Sequence, residues 1–392
     1  MLETASCSTR NRFIPSQAVV CPKRTWIVES VALGEGEKIV SVENRIRVAV
    51  VGAGKFGTKR ATAIARNPAS QIRVVADTAL ESARSLAENV GSEHSTNWEE
   101  TVARKDIDAV VVATSTQFLS EVTHAALVAG KHVLCEKPFA RTAEEARISV
   151  EEAAKRSLLL KVGYNHRYHP AIAKAHELFK QGLIGGIQFL RCLYGHGGRQ
   201  GYEREWRSDP KSGGGQLLDQ GVHALDLFRW FLGDFTEVKA FNTTSYWPIA
   251  PAEDNVFALL RTDQGQVATL HASWTNWKNV FTFDIFGETG FLAVTGLGGY
   301  YGPERLCLGL RHTIGVKPEE QWFDYEGPDE SLGKEWKDFL DCIVAGRQPA
   351  SNGEESLRTL QLVQAIYQAS DSTPGVMVPS SSDRSLSTSA SF

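Results

Sequence analysis

The run Ile46-Arg47-Val48-Ala49-Val50-Val51, followed at once by Gly52-Ala53-Gly54-Lys55-Phe56-Gly57, is the strongest constraint in this chain. It sets a short β-rich segment directly before a glycine turn and a helix-permissive stretch, the local order of a parallel βαβ unit. Each glycine of Gly52-x-Gly54-x-x-Gly57 has a steric reason there. The first permits a tight bend, the second lets backbone approach a pyrophosphate, and the third lets helix pack closely on strand. The free N–H groups and positive dipole end of the helix then face the phosphates. Gly52, Gly54, Lys55, Phe56 and Gly57 are therefore expected to hold a dinucleotide. Asp77 closes the next β-rich run, Ile72 to Asp77, about 20 residues on. A carboxylate there accepts from ribose hydroxyls and repels a 2′-phosphate, so NAD is expected in preference to NADP.

The alternation continues. Asp108 to Ala113 is near-continuously apolar, as in a strand covered on both faces. Leu119, Val122, Ala126 and Leu127 mark one side of a helix ending at Gly130. His132 to Cys135 reads as the next strand, and Thr142-x-x-Glu145 as a capping box opening another helix. Leu158 to Val162 closes the sheet. After Tyr164 the texture changes. Helices are expected over 171–181, 217–232, 331–345 and 353–370, and β-rich runs recur at 188–194, 237–242, 256–261, 267–274, 281–286 and 291–294. The fold expected is α/β: an N-terminal doubly wound parallel sheet plus a C-terminal α+β domain with a large, mainly antiparallel open sheet. The expected organisation is an extension over 1–45, a dinucleotide-binding domain over 46–165, a substrate-binding and oligomerisation domain over 166–378, and a disordered serine-rich tail over 379–392.

With 42% hydrophobic and 22% charged residues, a formal charge of -4 and no basic block, the chain is expected to bind no nucleic acid. No apolar run is long enough for a membrane helix, so no membrane partner is expected. The six cysteines are scattered, with no C-x-x-C pair, which suits neither zinc nor a secreted disulfide framework. A reducing cytoplasm is the default reading.

A second cluster carries chemistry. Lys137, in Glu136-Lys137-Pro138, follows a strand of the parallel sheet and should reach the ligand crevice, where an ammonium can share a proton with a reacting hydroxyl. Glu136 is expected to hold or tune it by charge, both residues to line the cofactor site, and Pro138 to fix the turn. Thr114 and Gln117, at the end of another strand, are expected near the nicotinamide ribose; equally, Ser115 or Thr116 caps the following helix. Asp219 and His223 stand four residues apart on one expected helix face, after Gly213-Gly214-Gly215. The imidazole suits acid–base work on an alcohol, and the carboxylate either contacts substrate or orients the ring. A metal site is disfavoured because third and fourth ligands do not accompany the pair. Trp206 and Arg207, and Trp274 and Trp277 at the end of an expected strand, are candidates for the substrate wall, each tryptophan being equally readable as a core or interface residue.

Taken in order, Val-Gly-Ala-Gly-Lys-Phe-Gly at 51–57, Cys-Glu-Lys-Pro-Phe at 135–139, Gly-Tyr-Asn-His-Arg-Tyr at 163–168 and Gly-Gly-Gly-Gln-Leu-Leu-Asp-Gln-Gly-Val-His-Ala-Leu-Asp at 213–226 resemble the Gfo/Idh/MocA family of glucose-fructose oxidoreductase and inositol dehydrogenase relatives. The resemblance spans roughly Arg47 to Tyr367. It implies NAD(P)-dependent oxidation or reduction of a sugar, sugar derivative or cyclitol, and a homodimer or homotetramer. By the same resemblance Lys137 is the active-site lysine, Asp219 the substrate-binding aspartate and His223 the catalytic histidine. Asn165 and Arg167 match the crossover that often lines the pocket. Two other readings stay open: a redox-neutral epimerase or eliminating glycosidase that regenerates NAD, and a nucleotide-sensing regulator without turnover.

Overall fold

The computed structural model describes residues 45–372 and two short strands, β1 (Val31–Leu33) and β2 (Glu37–Ile39), paired antiparallel. The remainder of the expected extension over 1–45, and the expected tail over 379–392, lie outside the described residues.

Six parallel strands form the first sheet: β3 (Ile46–Val51), β4 (Ser70–Ala76), β5 (Glu93–Ser95), β6 (Ala109–Val112), β7 (His132–Glu136) and β8 (Leu160–Gly163). Their spatial order is β5-β4-β3-β6-β7-β8. The chain thus winds outward one way from β3 and then restarts on its other side at β6, which is the doubly wound pattern. The crevice where ligands bind lies at that reversal, beyond the C-terminal ends of β3 and β6. Side chains alternate along β3 as the pleat requires. Ile46, Val48 and Val50 enter one core, and Ala49 and Val51 enter the other. Helices α1 (Lys55–Ala65), α2 (Leu80–Val90), α3 (Trp98–Ala103), α4 (Thr116–Val128) and α5 (Ala143–Arg156) connect the strands. Thr142 accepts a hydrogen bond from Glu145 N at 3.2 Å, the first half of the expected capping box; the Glu145 carboxylate bonds to Arg141 instead.

Beyond α6 (Pro170–Lys180), eight strands build the second sheet in the order β10-β11-β12-β9-β13-β14-β15-β16. They are β9 (Ile187–Gly195), β10 (Glu237–Thr243), β11 (Asn255–Arg261), β12 (Val267–Ser273), β13 (Val280–Gly287), β14 (Gly290–Thr295), β15 (Glu304–Leu310) and β16 (Glu319–Tyr325). Only β9 and β12 pair in parallel. Helix α7 (Val222–Leu232) packs on one face of this sheet through Phe228 and Phe231, which meet Phe283. Two helices return to the first sheet. α8 (Ser331–Ala345) places Trp336, Phe339, Leu340 and Ile343 in the core that holds Val48 and Val50. α9 (Gly353–Ser372) runs between α5 and β10. The C-terminal helices therefore tie the two sheets into shared cores. Among the described residues no helix is long and apolar enough to cross a membrane.

Candidate active site

The glycine turn has the steric character its sequence implied. Gly52 holds φ at +104°, and a Cβ there would lie 2.4 Å from Ala113 O at the end of β6. A Cβ on Gly57 would lie 1.9 Å from Gly52 O, so helix and strand meet backbone to backbone. Around Gly54, by contrast, a Cβ would meet nothing within 4 Å. That leaves the N-terminus of α1 open on this side, with its first backbone N–H groups uncovered by any side chain of Gly54. Asp77 closes the turn: its carboxylate accepts from Ala53 N at 2.7 Å and from Ala79 N at 2.9 Å. Sequence reasoning assigned Asp77 to ribose alone; it also fixes the loop. A cavity of about 390 Å³ beside the turn is lined by Ala53, Thr58, Glu81, Ser85 and Asn89. A larger cleft of about 680 Å³ runs between α1 and α8 and contains none of the residues expected to do chemistry. Volume alone therefore does not locate the site.

Across the crevice, Lys137 follows β7 through a cis Lys137–Pro138 bond. Its Nζ bonds the carbonyl of Asp219 and lies 3.2 Å from Asp219 Oδ1. Arg207 Nε donates to the other carboxylate oxygen, Oδ2, at 2.8 Å. One carboxylate is thus held by two cations from separate loops. Burial alone would raise the Asp219 pKa, but the Lys137 and Arg207 charges outweigh it and hold the group below its usual range. The segment carrying Asp219 is not the regular α-helix expected. Leu217–Gly221 forms a wider π turn, with Val222 N bonded to Leu217 O, before α7 begins. Such turns recur at functional sites.

His223 begins α7 and is only 5% exposed. Its Nδ1 has no hydrogen-bond partner among the described residues. The ring stacks on His166, with centroids 3.8 Å apart and planes 13° from parallel, and meets Tyr164 edge-on at 5.8 Å. Burial first, then the charges of Lys137, His169 and Arg60, push its pKa well below the ordinary histidine value. The ring is therefore neutral at neutral pH. Within the 163–168 segment it is His166 and Tyr164, rather than the expected Asn165 and Arg167, that meet His223.

The other expected residues divide. Asn165 Nδ2 donates to Ser331 Oγ at 2.8 Å, on α8. Arg167 pairs with Asp226 at 2.6 Å and Glu355 at 3.0 Å and lies over Trp230, joining α7 to α9. Both side chains are therefore engaged by helices rather than by Lys137, Asp219 or His223. Glu136 bonds to Arg60 instead of Lys137. Thr114 is half-buried at the end of β6, and Gln117 is exposed in the first turn of α4. Ser115 occupies the N-cap position of α4 without a side-chain cap bond. Lys55 and Phe56 are exposed at the start of α1, and Trp206 lies beneath the Arg207 guanidinium at 4.6 Å.

Behind the site, Glu253 accepts from Leu217 N at 2.8 Å and from the Tyr367 hydroxyl at 3.0 Å, anchoring the π turn. Burial pushes its carboxyl from 4.5 up to about 7. The folded chain then holds this proton more tightly than the unfolded chain. Its contribution to stability is present below pH 4.5 and is lost as pH rises to 7, a change on the order of 3 kcal/mol. Glu253→Gln is expected to flatten that part of the stability profile. Chemical denaturation at pH 5 and pH 8 checks this; an unchanged slope contradicts it.

Two family models match the chain. Residues 46–164 match "Oxidoreductase family, NAD-binding Rossmann fold" and residues 172–293 match "GFO/IDH/MocA C-terminal domain". The chain is 31% identical to 1,5-anhydro-D-fructose reductase of Ensifer adhaerens over 330 residues, covering 82% of this chain and 96% of that protein. It is 29% identical to levoglucosan dehydrogenase of Pseudarthrobacter phenanthrenivorans over 291 residues, 62% of this chain and 72% of that protein. Myo-inositol 2-dehydrogenase of Thermotoga maritima is 26% identical, covering 83% and 96%. A solved levoglucosan dehydrogenase, in complex with NADH, superposes with a TM-score of 0.77 at 24% identity, covering 83% of this chain and 97% of that one; this likeness establishes the fold.

Proposed function

Because the chain belongs to the Gfo/Idh/MocA family of oxidoreductases, we propose that Lys137, Asp219 and His223 work on a carbinol or keto carbon of a sugar, sugar derivative or cyclitol. The protein is an NAD-binding oxidoreductase. The observation that carries the residue roles is the convergence of Lys137 from β7 with Asp219 and His223 from the π turn and α7, at the sheet edge where the glycine turn also lies. Gly52, Gly54, Lys55, Phe56 and Gly57 would hold the pyrophosphate, Asp77 the adenosine ribose, and Thr114 and Gln117 the nicotinamide ribose. When bound, NAD supplies the acceptor for the carbinol hydrogen.

The residues of the chain do the rest. A substrate hydroxyl seated between the ammonium of Lys137 and the imidazole of His223 loses its proton to the neutral ring. Lys137 stabilises the developing negative oxygen. Asp219, itself held by Arg207, aims the ammonium. Reduction reverses the proton's path. Names borne by the relatives, on anhydrofructose, levoglucosan and inositol, support a polyhydroxylated ring as substrate. Arg207 and Trp206 would contact it, with Asn165 and Arg167 shaping the pocket from behind.

Residues 46–165 are read as the cofactor unit and 166–378 as the substrate and oligomerisation unit. The open sheet supports a homodimer or homotetramer, because Phe189, Phe257, Leu259 and Trp322 are exposed on it. Cytoplasmic placement is supported by four free, buried cysteines among the described residues.

The test is a panel of sugars, anhydrosugars and inositols followed at the NADH absorbance band, with NAD and NADP compared. Stoichiometric NADH with NAD is expected. Product without net NADH would move the protein to the redox-neutral class, and a strong NADP preference would contradict the role given to Asp77. Binding of NADH with no turnover across the panel would favour a sensing role.

A further inference from the structure

Two large aromatic side chains stand side by side in solvent. Trp277 is 63% exposed and Tyr246 62%. Their ring centroids are 4.6 Å apart and their planes cross at 83°, an edge-to-face arrangement that leaves a ring face uncovered. Trp277 holds φ at +51°, in the left-handed region that large side chains rarely adopt.

The support beneath them is rigid. Asp254 is fully buried, and its carboxylate accepts from the backbone N–H groups of Ser245, Tyr246 and Trp247 at 2.8, 2.8 and 3.0 Å. Its carbonyl accepts from Trp274 N at 2.8 Å. Asn255 Nδ2 donates to Asp254 Oδ1 and to Thr275 Oγ1, both at 2.9 Å. One buried network therefore fixes the loop carrying Tyr246 and the loop carrying Trp277. Exposed rings on a fixed backing lose little entropy when a ligand covers them.

The pair also has a defined address. β9 ends at Gly195 and runs into His196-Gly197-Gly198. A Cβ on Gly197 would lie 3.3 Å from Trp277 Cα, and one on Gly198 would lie 2.6 Å from the Trp247 ring. The glycine strip thus passes against both indoles. His196, at its start, accepts through its carbonyl from Asn276 N at 3.3 Å, which ties the strip to the loop carrying Trp277. From Asp219 a ladder of ion pairs leads outward, Arg207 to Glu205 at 3.0 Å and Glu205 to Arg199 at 2.6 Å. Trp277 packs on this glycine strip, and Arg199, the outer end of the ladder from Asp219, follows the strip directly in the chain.

We propose that Trp277 and Tyr246 form a subsite for a second ring, so that the substrate is a glycoside or disaccharide whose distal ring stacks there while the reacting ring sits at Asp219. This rests on the oxidoreductase reading above and adds the substrate's size to it. A pyranose offers an apolar C–H face to an indole and keeps its hydroxyls for polar groups at the ring edge.

The test uses the full chain with NADH bound. Binding of cellobiose, maltose, lactose and phenyl β-glucoside is measured by calorimetry beside glucose, galactose and methyl β-glucoside, in the wild type, Trp277→Ala and Tyr246→Ala. At least one two-ring probe should bind about tenfold more tightly than its one-ring counterpart, and Trp277→Ala should weaken it about fivefold or more while leaving the one-ring probe unchanged. Equal loss for both kinds of probe, no loss, or no two-ring binding at all would overturn the proposal. So would a Trp277→Ala protein that binds two-ring probes normally but sediments as a smaller species, since the rings would then cover a second copy of the chain. Binding rather than turnover is read so that the two claims separate. Two-ring binding that depends on Trp277 without turnover in the wild type counts against the oxidoreductase chemistry alone; turnover of one-ring sugars without Trp277-dependent binding counts against the subsite alone.

Discussion

Turnover should fall by about 10²- to 10⁴-fold when His223 is replaced by alanine, and by a similar factor for Lys137→Ala, with NAD binding nearly unchanged. The reason is positional. His223 brings a neutral imidazole, whose Nδ1 has no partner among the described residues, within the influence of the Lys137 charge. Removing the ring leaves no other base at that place, because His166, stacked behind it, already uses its ring nitrogens toward Tyr194 at 3.1 Å and Asn165 at 3.4 Å. Removing the ammonium leaves Asp219 to Arg207 alone and takes away the charge that steadies the developing alkoxide. Neither residue contacts the glycine turn, so cofactor affinity is a control within the same experiment. The pH profile adds a sign. Oxidation needs His223 unprotonated, and its pKa is pushed well below the usual value. The oxidation rate should therefore stay level as pH falls through about 6.5, where an ordinary histidine would gain its proton. Steady-state kinetics from pH 5 to 8 check this. Unchanged kcat in both variants would remove them from the chemistry.

Arg60→Ala is expected to lower the stability of the fold by about 3–5 kcal/mol. Arg60 is 2% exposed and pairs with two carboxylates, Glu136 and Glu335, which are 5% and 0% exposed. Lys161, also fully buried, lies 3.8 Å from Glu335 and bonds Tyr168, Ala350 and Ser351. The cluster joins α1, β7, β8 and α8, so it pins α8 to the cofactor sheet. Without the guanidinium, two buried carboxylates face each other and must either repel or take up protons. Glu136 is already raised, by burial above all, with Arg60 opposing that shift. In the variant the folded chain would bind protons still more tightly than the unfolded one. Stability is then lost as pH rises above the unfolded value near 4.3, and acidification restores part of it. Denaturant titrations of the variant at pH 5 and pH 8 should show the larger deficit at pH 8. A deficit that is small, or larger at pH 5, would contradict this account. Gly163 has a part in the same arrangement: a Cβ there would sit 2.4 Å from Arg60 Nη2.

What the sequence made legible was local. The glycine turn, the apolar run Ala109–Val112 and the alternating strands of the second sheet each carry their signal within a few residues. β5, β15 and β16 escaped notice, and β15 did so although Leu306, Cys307 and Leu308 on it are buried. β5 is Glu93-His94-Ser95, and β16 is Glu319 to Tyr325 with mostly exposed side chains; both are edge strands, where burial imposes little pattern. The π turn gave no sign in Leu217-Leu218-Asp219-Gln220-Gly221, since a helix widens there through long-range anchoring by Glu253. Partners distant in sequence were the least legible. Glu136 looked like a companion to Lys137 because it is adjacent, yet its partner Arg60 stands 76 residues away. Arg167 looked like a pocket residue, yet Asp226, within a quoted motif, claims it. His166 lay in plain view between Asn165 and Arg167, and only the packing of two elements revealed that it backs His223.

The central claim is tested most directly by a crystal structure of the protein with NADH and a bound sugar ligand. The account expects the adenosine ribose at Asp77, the pyrophosphate on the open side of Gly54, and the nicotinamide ring facing a sugar carbon whose oxygen touches both Lys137 Nζ and the His223 ring. A nicotinamide lying away from Lys137, or a sugar oxygen in contact with neither side chain, would contradict it.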